Sequence, residues 1–510
     1  SAASSDYPLR DVYKRQANGM FDVFHTDEDA IMEPVEIMSK TFSFDPDCYQ
    51  RPNHISIYVN FVIQNVYSLI RYGDLLANTY DQHVSELFAI ARIINAVFGV
   101  IMVILAFLIG FEFSKRIGIL SAFLCAFFPV FCNHSHVITP DILTACITML
   151  MIFLTIKLVK KFDKKTFLLL CFTCALNIIE KYPGLISISL VFFILVLQAQ
   201  KAEGKISIQK VLPNFIKYGL LIVLFCYILS PSLFIHPKHT LYSLLKESKG
   251  DRIGSDGLGY VGNLFFYCKI FFVHTGMIAT AFFIIGLFRL FLKRENISIK
   301  IPLLYGFLYW ILMSALPLHW ERWGMPMYIA PIFVIAFGLD FLLTLKVARI
   351  PVTILFGISV LNMANVSLYL STKYHFATTT ARAKEFLTEQ GITPENTIYE
   401  GYTPFHEFGP SQPFEWFEKK DNPQYRYVIT SSGMKNRYMA EPNRDSRRVK
   451  AYTEIEGLEQ LQSYQASPSP GYGWFELQNF LRLPPYTFMV YRDNFQGYYK
   501  GPTLWIHKIL

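Results

Sequence analysis

Long apolar runs alternate with short polar breaks through the first three quarters of the chain, and then the pattern stops. Ten runs are legible: Leu87–Phe111, Ile117–Cys132, Ile142–Val159, Phe167–Ile179, Gly184–Leu197, Ile216–Ile235, Ile270–Leu292, Pro302–Leu316, Met325–Leu345 and Val352–Leu370. A helix needs about 20 apolar residues to cross a hydrocarbon core of roughly 30 Å, and most of these runs approach that length. Phe167–Ile179 and Gly184–Leu197 are short and separated only by Glu180-Lys181-Tyr182-Pro183, which predicts a tight helical hairpin or two half-buried helices. Upstream, Ile55–Ile70 is amphipathic. Beyond Lys373 the chain turns polar, with strand-like stretches at Thr397–Tyr402, Tyr425–Ser431, Phe488–Tyr491 and Leu504–Ile506. A helical stretch at Thr380–Glu389 precedes them, and turns such as Ser467-Pro468-Ser469-Pro470-Gly471 separate them. The pattern predicts an all-α polytopic membrane domain over 87–372, a small α/β domain over 373–510, and a polar segment, 17–86, ahead of the first run. Residues 1–16 end in RDVYKRQ, which resembles a translated sequencing adapter. They are set aside as a non-native scar, with a native start and a further span expected upstream.

Composition agrees. Of 510 residues, 17% are charged, against roughly 25% in soluble domains. A net charge of +8 does not call for a nucleic acid, because lysine and arginine collect beside spans on the cytoplasmic side. The eight cysteines are scattered, mostly inside apolar runs, so no disulfide framework is visible; Cys171-x-x-Cys174 has redox spacing but lies within a run.

Loop charge sets the orientation. One set of alternate loops holds Lys115 and Arg116; Lys157, Lys160, Lys161, Lys164 and Lys165; Lys201, Lys205 and Lys210; Arg289, Lys293, Arg294 and Lys300; and Lys346 and Arg349. The opposite set is sparser, with Lys181, Arg322 and the basic residues of 236–269. The first set is therefore read as cytoplasmic. Residues 17–86, the loop before Asp141, Lys181, Arg322 and the C-terminal domain then lie outside, on a plasma membrane protein.

Four polar groups share that outer side. Asp27-Glu28-Asp29, within His25-Thr26-Asp27-Glu28-Asp29, packs carboxylates together, which suits general-base work or a divalent cation as well as a solvated loop. Thr139-Pro140-Asp141 reads as a helix start, while His134 and His136 have a metal-like spacing equally suited to a wet turn. Lys181 either snorkels or binds a phosphate at the bilayer surface. Arg322, between Trp320 and Trp323, either neutralises Glu321 or grips an anionic headgroup. Arg92, inside the first run, should face protein or a cavity.

Taken in order, these motifs resemble the GT-C glycosyltransferases that use polyprenyl-phosphate sugars, in the bacterial branch related to protein O-mannosyltransferases and aminoarabinose transferases (families 39 and 83). His25-Thr26-Asp27-Glu28 resembles that family's His-x-Asp-Glu, Arg92-Ile93 the Ala-Arg start of its next span, and Pro140-Asp141 its second-loop acid. Lys181-Tyr182-Pro183-Gly184 resembles its Lys-Tyr-x-Gly turn, and Glu321-Arg322-Trp323-Gly324-Met325-Pro326 its Arg-Tyr-x-x-Pro. Glu400-Gly401-Tyr402-Thr403-Pro404 looks like an element of the outer domain. Arg51-Pro52-Asn53-His54 falls where the family has a Tyr-Pro segment, a departure on the acceptor side.

The resemblance implies inverting sugar transfer from a polyprenyl-phosphate donor to a hydroxyl on a glycan, lipid or protein acceptor. Asp27 would be the base, and Glu28 would orient the acceptor or help hold a cation. Lys181 and Arg322 would stabilise the leaving phosphate, with Asp141, Tyr182, His54 and Arg92 among the substrate-binding residues. The Ser232–Gly262 loop, with Gly250, Gly254, Gly257 and Gly259, would lie over the cavity. The competing class is a transporter or flippase for a lipid-linked or anionic substrate, which also places ionisable groups in membrane cavities.

Overall fold

A computed structural model describes residues 27–49, 52–204, 208–248, 259–292, 297–316, 319–372, 378–406, 414–466 and 498–509. His25, Thr26, Arg51, Gly250, Gly254, Gly257, the 467–471 turn and the expected strand at Phe488–Tyr491 lie outside the described residues.

Two long helices precede the bundle, α1 (Asp29–Thr41) and α2 (His54–Tyr72), followed by a single turn at Leu76–Thr79. Helix α2 is amphipathic in an inverted sense. Its buried side is a ladder of Ser56, Asn60, Gln64 and Ser68 at i, i+4 spacing, while Val62, Ile63, Val66 and Ile70 face outward. Within the ladder, the Gln64 amide donates to Asn60 Oδ1 at 3.2 Å. An apolar outward face of this kind suits a membrane interface rather than water.

The bundle follows as α3 (Val84–Phe111), α4 (Lys115–Phe127), α5 (Pro129–His134), α6 (Pro140–Lys160), α7 (Lys164–Glu180), α8 (Ile188–Glu203) and α9 (Ile208–Leu229). After α10 (Pro237–Ser248) come α11 (Gly259–Leu292), α12 (Ile297–Ser314), α13 (Met325–Thr344) and α14 (Arg349–Thr372). Among the described residues, eight helices are long and apolar enough to cross a membrane, rather than ten. The run Ile117–Cys132 is divided where Phe128 is extended and Pro129 starts a new helix, since the residue before a proline avoids the α region. Helix α7, over Phe167–Ile179, has only 17 residues. The expected hairpin is present, turning through a 3-10 segment at Tyr182–Ser187. The expected loop over Ser232–Gly262 is largely helical where described, at Ser232–Ile235 and in α10.

Helix α11 is broken at Gly276, whose φ of 76° and ψ of 179° only glycine adopts readily. The break leaves His274 buried and facing the bundle. The central helices are the most enclosed: 83% of the most apolar stretch of α6 is buried, against 17% for α9 at the periphery.

The end of the bundle that carries the loop lysines and arginines is knit by ion pairs. Lys157 and Lys160 reach Glu112 at 2.8 and 2.9 Å, and Arg116 reaches Asp340 at 3.3 Å. The candidate chemistry lies at the other end. There the C-terminal domain begins with α15 (Thr379–Glu389), against the expected 380–389. It continues through β1 (Thr397–Tyr399), β2 (Tyr427–Ser431), α16 (Ser432–Ala440), α17 (Ser446–Glu456), β3 (Glu459–Ala466), β4 (Tyr498–Tyr499) and β5 (Leu504–Lys508). The sheet is mixed, in the order β1-β2-β5-β3-β4, with β1 parallel to β2, β5 antiparallel to β2 and β3, and β4 parallel to β3. Ile429 pairs with Ile506 across its centre. Strand β3 carries a bulge at Gln460–Gln462 and lacks an apolar alternation, so nothing in the sequence marked it.

Candidate active site

Four charged residues expected on one side of the membrane meet in a single chain of contacts. Asp27 precedes α1 and pairs with Arg322, which sits in a 3-10 turn at Glu321–Gly324 ahead of α13. The Arg322 Nε lies 3.5 Å from Asp141 Oδ2, and the other Asp141 oxygen takes the Lys181 ammonium. Carboxylate and cation therefore alternate along Asp27, Arg322, Asp141 and Lys181, and their formal charges cancel. Asp141 is the most enclosed, at 3% side-chain exposure; Asp27 is the most open, at 23%. Lys181 Nζ also lies 5.5 Å from the centre of the Trp323 ring.

Local structure explains each placement. Pro140 opens α6 with Thr139 as an extended N-cap, so Asp141 falls in the first turn, where the helix dipole favours a carboxylate. The Thr139 hydroxyl itself makes no cap bond, contrary to the expected role. Lys181 is extended and its amide closes on Asn177 O at 3.1 Å. The hairpin then turns so tightly that a Cβ on Gly184 would stand 2.1 Å from Asn177 O, which explains glycine there.

Glu28 departs from its expected role. It is 0% exposed, and its carboxylate accepts from Arg92 Nη2 at 2.7 Å, Arg92 Nε at 3.1 Å and the Ile138 amide at 3.1 Å. A carboxylate enclosed by a bidentate guanidinium and a backbone amide is a strut joining α1, α3 and the loop before α6, not a group facing an acceptor or a cation. Arg92 is the guanidinium of that strut and keeps 16% side-chain exposure.

His54 and Tyr182 do not join the cluster. The His54 Nε2 lies 2.9 Å from the Cys48 carbonyl and Nδ1 meets the Ser230 hydroxyl. Burial pushes this imidazole down to about 4, so it is neutral, with Nε2–H donating and Nδ1 accepting. Tyr182 Oη donates to the Tyr49 carbonyl at 2.7 Å. Both tie the first polar segment to the bundle. Arg322 turns to Asp27 and Asp141, while neighbouring Glu321 takes His274 Nε2 at 3.0 Å. His136 Nδ1 meets the Cys132 carbonyl at 2.6 Å while His134 is buried, and the described residues bring no group of three or more His, Cys, Asp or Glu together for a metal.

The C-terminal domain reaches the rim of the cluster. In Glu400-Gly401-Tyr402, Glu400 is fully buried and accepts from Ser431 N at 2.9 Å, Tyr452 Oη at 2.6 Å and Arg448 Nη2 at 2.9 Å. Burial pushes its carboxyl up in spite of the guanidinium. Tyr402, at a φ of 60°, accepts from Arg437 at 2.9 Å, and Arg437 lies 5.6 Å from the Trp320 ring, two residues before Arg322. His274, Glu180 and Ser56 escaped the sequence reading, and Glu321 entered it only as a partner for Arg322. The only signal for Glu180 was a carboxylate closing an apolar run beside Lys181.

Residues 84–234, which supply Arg92, Asp141 and Lys181, match the family described as dolichyl-phosphate-mannose-protein mannosyltransferase. Over those residues, under half of the chain, the likeness is to a glycosyltransferase family. No curated protein sequence matches the chain. Among solved structures, the Archaeoglobus fulgidus oligosaccharyltransferase, in complex with Zn and sulfate, is similar at a TM-score of 0.51 and 12% identity, over 90% of this chain and 70% of that one. ArnT from Cupriavidus metallidurans in the apo state aligns at a TM-score of 0.49 and 11% identity, over 85% of this chain and 93% of that one. The same protein bound to undecaprenyl phosphate gives 0.47 and 11%, over 85% and 94%. At such identities the likeness to the oligosaccharyltransferase concerns the fold alone. The family match over 84–234 favours a glycosyltransferase over a transporter or flippase.

Proposed function

We propose that this enzyme transfers a sugar from a polyprenyl-phosphate donor to an acceptor hydroxyl on the extracytoplasmic face, with inversion and with Asp27 as general base. The observation that carries the reading is the linked set Asp27–Arg322–Asp141–Lys181 at the end of the bundle opposite the basic loops. Its most open carboxylate and its two cations lie within one side chain of each other. The acceptor oxygen loses its proton to Asp27 as it attacks the anomeric carbon. The bond from that carbon to the phosphate oxygen breaks, and its electron pair leaves with polyprenyl phosphate. Lys181 and Arg322 oppose the charge that builds on the phosphate, an effect worth most where water is excluded. Asp141 holds both cations in position before the donor arrives. Glu28 and Arg92 fix α1, so that Asp27 presents its carboxylate from a rigid mount. The positive-inside bias supports placing this face, and the C-terminal domain, outside the plasma membrane.

The test is Asp27→Asn in membranes supplied with a panel of polyprenyl-phosphate sugars. Loss of transfer by about 10²–10⁴-fold with normal membrane insertion is expected; undiminished transfer would refute the base assignment.

A further inference from the structure

Glu180 and Lys181 are consecutive, yet they serve different partners. Glu180 ends α7 and Lys181 leaves it extended, at φ −153° and ψ 131°, so the two side chains meet different neighbours. Lys181 goes to Asp141. Glu180 goes to the start of α2, where its carboxylate accepts from Ser56 N at 2.9 Å and from the Ser56 hydroxyl, while its carbonyl accepts from Asn53 N at 3.0 Å. Asn53 occupies the N-cap of α2 in a left-handed conformation, at φ 46°, and makes no side-chain cap bond. Ser56 is the third helical residue, whose amide a capping side chain ordinarily takes. The cap of α2 is thus supplied from 124 residues away, by a carboxylate at 0% exposure at the end of α7.

We propose that Glu180 is the positioning residue for Lys181: by capping α2 it fixes the end of α7, and so sets where the Lys181 ammonium meets a lipid phosphate. The inference rests on the donor-binding reading above. It makes the start of α2, at Asn53 and Ser56, a support of the donor site without any contact to the donor.

A double-mutant cycle on donor kinetics in the full chain tests it. Glu180→Gln keeps the volume but weakens the carboxyl cap, and is expected to raise the donor KM about five- to ten-fold, the size of one lost cap, with acceptor KM unchanged. Ser56→Ala, which leaves Glu180 and the amide contact in place, should give a smaller rise in the same direction. In a Lys181→Met background, Glu180→Gln should have no further effect on donor KM. Equal effects of Glu180→Gln with and without Lys181, or a fall in kcat alone with both KM values unchanged, would overturn the proposal. A Lys181→Met enzyme with wild-type donor KM would instead refute the donor-site reading itself, and this inference with it.

Discussion

Replacing Arg92 with methionine takes from Glu28 the guanidinium it meets at 2.7 and 3.1 Å, in a place where the carboxylate is 0% exposed. Removing one member of a buried ion pair costs about 3–5 kcal/mol, because the remaining charge stays out of water. Arg92 retains 16% side-chain exposure and Glu28 keeps the Ile138 amide at 3.1 Å, so the lower end of that range, about 3 kcal/mol, is expected. Glu28→Gln/Arg92→Met removes the charge as well, and the glutamine oxygen still accepts from Ile138. This double variant should recover about 2 kcal/mol of what the Arg92 change loses. Thermal unfolding of the detergent-solubilised enzyme, followed by tryptophan fluorescence, reads the stability, and sugar transfer by the same samples reads the placement of Asp27. Transfer should fall in Arg92→Met even at temperatures where the protein remains folded, because Asp27 precedes Glu28 directly. A double variant as unstable as the sum of its two singles, with coupling below about 0.5 kcal/mol, would refute the strut.

Three further outcomes follow from the same geometry. Gly184→Ala forces a Cβ to within 2.1 Å of Asn177 O, so it should cost at least about 1–3 kcal/mol and raise the donor KM, read by Tm and kinetics. Burial lowers His54 from 6.5 to about 4, so the unfolded chain binds the extra proton first as pH falls. Its contribution is complete above pH 6.5 and is lost as pH drops toward 4, by roughly 3 kcal/mol at most, and His54→Asn should flatten Tm across that window. Glu321→Gln weakens the contact to His274 at 3.0 Å that mounts the Arg322 turn, and should lower kcat/KM for transfer about ten-fold.

The segregation of charged groups to two ends of the bundle was legible in the sequence because it depends on a property summed over many loops. Lys157, Lys160, Arg116 and Arg289 do collect at one end, and Asp27, Asp141, Lys181 and Arg322 at the other. The C-terminal helix and β1, β2 and β5 were legible from local patterning. What escaped depends on contacts between distant positions. Nothing local distinguishes Asp27, whose side chain stays 23% exposed, from Glu28, which disappears into Arg92, 64 residues away. Arg322 looked like a partner for adjacent Glu321, but the 3-10 turn sends the two side chains to different neighbours. The kink at Gly276 was hidden inside a continuous apolar run, since one glycine leaves hydropathy almost unchanged.

The charge balance of Asp27, Arg322, Asp141 and Lys181 has a kinetic consequence. An empty site of zero formal charge has little long-range pull on a donor whose phosphodiester carries a single negative charge. After transfer, the spent lipid is a monoester with up to one charge more, facing the same lysine and arginine, while the proton taken from the acceptor has neutralised one competing carboxylate. On the proposed mechanism the site would hold its by-product more firmly than its substrate. Departure of the spent carrier would then govern turnover, and added polyprenyl phosphate should act as a competitive brake on the donor.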